Sequence, residues 1–273
     1  MLNKLMKIFP AALMLMVSLF TSAGAPNAAA AVLTPSIQAA FELTAAAAES
    51  SARVKLKSQY SELSAQTAQY ESREEQIRIL HESNAQALLV VRNQIKEIDQ
   101  AAVAKLTSAV SSVKQHYQPL FDQYSALNNR ITLLKGLKDK TLNSVLRTQA
   151  EAMKIAVQIA RQEIRDKEAL LKAAKEERSR KIAAARKTLA GIDSPQTTIK
   201  SQKSVATALN QRITADFGDF KSAIRKQNPV LAGQSLASLL SGYKQIAASK
   251  QKIIELEQKV AAVIAATAKQ IAA

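Results

Sequence analysis

Arg161, Arg165, Lys172, Lys175 and Arg186 follow one another at steps of four, seven, three and eleven residues. On a helix they fall along one stripe, a residue's rotation away from the apolar seam. Cations spaced in this way suit a linear polymer that carries repeated carboxylates or phosphates, and such a stripe beside a seam can line a groove between helices. Glu163 with Lys167, Glu168 with Lys172, Glu176 with Arg180 and Glu177 with Lys181 are each spaced by four, in the order that supports an exposed helix. A well-solvated face is therefore the other reading of the same run.

Other chemistry is scarce. The histidines are His81 and His116, neither has another histidine or a cysteine at metal-ligand spacing, and the chain holds no cysteine. No serine sits in a glycine-flanked elbow, and no glycine-rich loop is available to cradle phosphates. The adjacent carboxylates Glu74, Glu75 and Glu176, Glu177 point in different directions on a helix, which does not serve paired acid and base work. The expectation is a protein that is not an enzyme, with no catalytic residues, cofactor, metal or small-molecule substrate.

The elements that carry the stripe follow from punctuation. No glycine or proline occurs from Ser36 to Gln118, a run of 83 residues that predicts very long α-helix. Inward positions recur by fours and threes from Leu56 through Tyr60, Leu63, Thr67, Tyr70, Glu74, Ile77, His81, Asn84, Leu88, Val91, Ile95 and Ile98 to Ala102. The phase survives the polar patch of Glu74, His81 and Asn84, favouring one continuous helix, with a break at Ser83 or Asn84 as the alternative. His81 is a helix residue or a pH-sensitive register point.

Pro119 either kinks a helix or begins one. After a turn near Gly136, a helix from about Leu142 to Ala190 places Leu146, Met153, Val157, Ala160, Ile164 and Leu171 inward, and Gly191 is placed to end it. Helices over about Pro195–Gln227 and from Pro229 to the C-terminus complete the set. Thr34, Ser194 and Asn228 each offer a cap ahead of a proline. In the last helix Ile246, Ile253 and Val260 form a heptad seam with Leu256 and Val263. The fold class is all-α, an elongated antiparallel coiled coil or long-helix bundle. It forms a single domain over residues 32–273, with a possible sub-division near 191–195.

Compartment is read from the first residues. Lys4 and Lys7, the apolar segment Ile8–Phe20 and the small residues after it have the order of a secretory signal, 1–31, with cleavage among Ala29, Ala30 and Ala31. No later segment has the length and purity of a transmembrane helix. The formal charge is +16, and setting aside Lys4 and Lys7 in a segment without acids leaves +14. That field favours polyanions, which outside the cytoplasm are wall polymers, acidic glycans, anionic lipids or released nucleic acid. Few aromatics interleave with the cations, which argues against nucleic-acid binding by stacking.

The stretch Phe220–Tyr243, FKSAIRKQNPVLAGQSLASLLSGY, with Ala223, Ile224, Lys226, Asn228, Leu236, Leu239 and Tyr243, resembles the helix, short joint, helix units in the wall-binding regions of S-layer proteins. The resemblance implies a basic helical bundle, placed just after the signal, that docks onto an anionic secondary polymer of the cell wall. It covers under a tenth of the chain and does not extend to a long layer-forming segment, so the expectation is anchoring without layer formation. The expected function is an exported helical protein that binds anionic cell-envelope polymer. The alternative is a structural coiled coil that binds another envelope protein or itself as a homo-oligomer. A membrane-active helical protein comes third.

Overall fold

A computed structural model describes residues 32–136 and 140–272. Their regular structure is helical throughout: α1 (Pro35–Ala46), α2 (Ser50–Glu97), α3 (Gln100–Gly136), α4 (Lys140–Leu189), a single 3-10 turn (Ala190–Ile192), α5 (Asp193–Arg225) and α6 (Pro229–Ala272). The chain is all-α, as its periodicity predicts, and no described helix is long and apolar enough to cross a membrane. The signal assigned to 1–31 lies outside the described residues.

The run from Ser36 to Gln118 is divided, but not where its polar patch suggested. α2 continues through Ser83 and Asn84, and the breaks fall at Ala47–Glu49 and Ile98–Asp99. Neither break has a glycine or proline; each is held by an arginine that serves as a carbonyl cap. Arg53 donates from Nε to the carbonyl of Ala45 (3.1 Å) and from Nη2 to those of Ala46 (2.7 Å) and Ala48 (3.1 Å), covering the carbonyls at the end of α1 and in the break. At the second break Asp99 takes a φ of 50°, a left-handed conformation that aspartate tolerates, and its carbonyl accepts the first bond of α3 from Val103.

Two prolines start helices as their sequence context predicts. Thr34 accepts from the Ile37 amide ahead of Pro35, and Asn228 accepts from the Leu231 amide at 3.0 Å ahead of Pro229. Two others do not. Pro119 lies inside α3, where it removes one backbone donor without ending the helix. Pro195 falls within the first turn of α5, where an amide would lack an intrahelical partner in any case, because α5 begins at Asp193. Gly191 is not a left-handed stop; it sits in the 3-10 turn, and no described glycine has positive φ. At the end of α5, Gln227 takes the left-handed position (φ 47°). Its amide bonds to Ile224 and that of Asn228 to Ala223, so the helix closes with crossed terminal bonds and no glycine.

The packing divides into two compact units. The first holds the described residues up to Leu80 with Thr197–Leu256. Its core draws Phe41 from α1, Leu56, Leu63 and Tyr70 from α2, Ile213 and Phe220 from α5, and Leu236, Leu239, Tyr243 and Ile246 from α6. Phe41 stacks on Tyr60 at 4.2 Å between ring centres, and Tyr243 meets Tyr70 edge-on at 6.0 Å. Each fully buried side chain of this size contributes roughly 1.5–3 kcal/mol. The Thr44 hydroxyl donates to the Ile224 carbonyl, so α1 also ties down the end of α5.

The second unit holds His81–Gln196 and the chain from Glu257 onward. Here α3 and α4 pair, with Leu127, Ile131 and Ala150 buried between them and Tyr124, Leu146 and Met153 packed against that cluster. Val91 and Ile95 of α2 and Val260 of α6 are buried in the register that the heptad steps predict, whereas at the next step of α6 it is Ile264 that is buried and the expected Val263 is only half-buried.

Candidate polyanion-binding face

The buried face of α4 comprises Ala150, Val157, Ala160, Ala185 and Leu189. At about 100° per residue, Arg161, Arg165, Lys172, Lys175 and Arg186 lie within an arc of roughly 80°, centred about a quarter turn from that face. All five are exposed. Their Cα positions extend over about 38 Å of helix.

The acids of α4 are used differently from the spacing-by-four expectation. Glu168 pairs with Lys114 of α3 at 2.5 Å, and Glu163 accepts from the Tyr117 hydroxyl of α3 at 2.6 Å. That bond to a carboxylate raises the Tyr117 phenol above its ordinary range, because losing the proton would set two anions together. Glu177 pairs with Arg180 one turn on, at 2.7 Å. Two further cations of α4 hold the α2–α3 joint: Arg178 donates to the Lys96 and Ile98 carbonyls, and Lys181 pairs with Asp99 at 3.0 Å. Among the described residues, none of the five stripe cations is in an ion pair; Arg165 donates to Gln162 at 2.6 Å. The basic run of α4 thus separates into structural cations and an open stripe.

The sequence did not reveal two buried polar clusters. In the first unit Lys250 of α6 is 1% exposed, pairs with Glu74 and places Nζ 3.6 Å from the centre of the Tyr70 ring. Burial pushes its ammonium down to about 7, and the nearby Arg73 acts in the same direction. Burial likewise raises the Tyr70 phenol, against the lowering effect of its hydrogen bond with Asn210. In the second unit the buried Glu257 lies 2.8 Å from His81 Nδ1, and Asn84 donates to its carboxylate and backbone carbonyl, each at 2.8 Å. Of the polar patch read into the α2 seam, Asn84 is buried and His81 stands exposed at the edge, and Glu257 is what both meet. Polar residues at inward positions of a heptad were the available signal; their partner, 173 to 176 residues away, was not.

A cleft of about 480 Å³ opens in the second unit beside the α2–α3 joint, with Glu97, Asp99, Lys181, Ala185 and Ile271 among its walls. Lys181 and Asp99 already satisfy one another there. Among the described residues no three histidine, aspartate or glutamate side chains converge as a metal-binding set. No protein-family model, curated protein or solved structure matches this chain.

Proposed function

We propose that this is an exported, non-catalytic helical protein that holds an anionic cell-envelope polymer along the stripe of Arg161, Arg165, Lys172, Lys175 and Arg186. One observation carries the reading: these cations stand open along one flank of α4, while Glu163 and Glu168 are engaged by Tyr117 and Lys114 of α3. A row of guanidinium and ammonium groups on a rigid helix binds anionic repeats without needing a closed pocket. The formal charge of +14 that remains once Lys4 and Lys7 of the leader are set aside from the full +16 adds long-range attraction. The leader-like order of the first 31 residues and the resemblance of Phe220–Tyr243 to wall-binding helical units support the envelope as the place of action.

Co-sedimentation of the purified chain with wall fragments, repeated at rising salt, tests the reading. Retention at low ionic strength that falls steeply above about 0.1 M, where the screening length is about 10 Å, is expected. No retention, or retention indifferent to salt, contradicts it.

A further inference from the structure

The face of α4 directed away from the cationic stripe is apolar and open. Val145, Ile155, Ile159 and Leu170 are 61%, 62%, 63% and 55% exposed. Val145, Ala152, Ala156, Ile159 and Leu170 share one register of four-and-three steps, which is a second heptad seam displaced by one residue from the seam that packs on α3. We propose that this seam joins two copies of the chain, α4 against an antiparallel α4.

Charge sets both partner and direction. From Val145 to Ile159 the seam register holds no ionisable residue, whereas its continuation carries Glu163 and Asp166. A parallel pair would set each acid against its own copy. An antiparallel pair with its two-fold axis between Val157 and Gln158 brings Val145 onto Leu170 and Ala156 onto Ile159. The same register places Glu163 opposite Ala152 and Asp166 opposite the Gln149 amide, so each half complements the other as a two-fold interface requires.

Size is consistent with a reversible dimer. The open apolar side chains amount to on the order of 500 Å² per chain, so about 1,000 Å² in all, near the lower bound for a specific association. Ala152 and Ala156 at the centre allow helix axes to approach to about 8 Å. The stripe of Arg161 to Arg186 lies about half a turn from this seam, so pairing leaves both copies' cations open.

Sedimentation equilibrium of the purified chain from about 1 to 100 µM is expected to show a shift from the mass of one copy to that of two. Ile159→Asp, at an exposed position where helix content in circular dichroism stays unchanged, weakens self-association at least about tenfold by placing a charge in the seam. Because the chain has no cysteine, a double Ala156→Cys, Ile159→Cys variant is expected to oxidise to a covalent dimer, whereas Lys175→Cys on the stripe is not. A single-copy mass throughout, self-association unchanged by Ile159→Asp, or cross-linking at position 175 but not in the seam would each overturn the proposal.

Discussion

Arg178 closes the end of α2 by donating from Nε to the carbonyl of Ile98 at 2.8 Å, across 80 residues of sequence. Its Nη2 reaches the Lys96 carbonyl at the same distance. Because a planar guanidinium serves two carbonyls at once, Arg178→Ala is expected to destabilise the second unit by about 1–3 kcal/mol in urea unfolding. Arg178→Lys, which lacks the fork, should recover only part of the loss. Arg180→Ala, which removes an exposed pair with Glu177, should cost under about 0.5 kcal/mol.

Lys250 makes the stability of the first unit depend on pH. In the unfolded chain the ammonium titrates near 10.5, and in the folded chain near about 7. Between those values the unfolded state binds a proton that the folded state has released, so this group's contribution improves as pH rises through the window. It is least favourable below about pH 7, where the folded chain carries the buried charge. Lys250→Met should therefore be more stable than the parent by about 1–4 kcal/mol at pH 6 to 7. The advantage should shrink towards pH 10, as read from the difference between two urea-midpoint series. A difference that grows with pH would contradict the burial argument. Glu74, half-exposed, remains in water in the variant and changes the balance little.

Two glycines should respond to alanine with opposite signs. A Cβ on Gly242 of α6 would stand 2.9 Å from Cγ1 of Ile213 on α5, so Gly242→Ala forces the two helices apart. A loss of about 1–3 kcal/mol is expected. At Gly218 nothing lies within 4 Å of the added carbon, and the residue is inside α5. Gly218→Ala should stabilise the chain by about 0.5–1 kcal/mol through helix propensity. Thermal midpoints of the two variants, read side by side, check both signs.

What the sequence disclosed and what it hid divide along sequence distance. The seam of α2, with its phase through Ile77, Asn84 and Val91, was legible because a heptad is a local pattern that burial then enforces, whereas His81, read as an inward position, is exposed. Thr34 and Asn228 were legible for the same reason: a cap acts within three residues. The breaks near Ala47 and Asp99 were not, since no glycine or proline marks them. The second depends on Arg178, which reaches it only once α4 packs beside the joint. Gly191 misled in the opposite way, because glycine permits a left-handed stop without requiring one.

The same distinction applies to the candidate site. That Arg161, Arg165, Lys172, Lys175 and Arg186 share a face was a matter of helical spacing. That Glu168 and Glu163 turn to Lys114 and Tyr117 required the α3–α4 pairing to exist. Spacing alone had assigned Glu163 and Glu168 to lysines of their own helix. Lys250 and Glu257 gave no sign of burial, being charged residues on a helix whose neighbouring seam positions are aliphatic.

The most direct test of the polymer-binding account compares two variants of equal charge. In one, Arg161, Arg165, Lys172, Lys175 and Arg186 are changed to glutamine. In the other, five exposed lysines elsewhere, Lys55, Lys105, Lys200, Lys203 and Lys259, are changed in the same way. Affinity for purified anionic wall polymer, measured at fixed low salt, should fall by at least about tenfold in the first variant, equivalent to 1.4 kcal/mol, and change little in the second. An equal loss in both, or no loss in the first, would contradict the account.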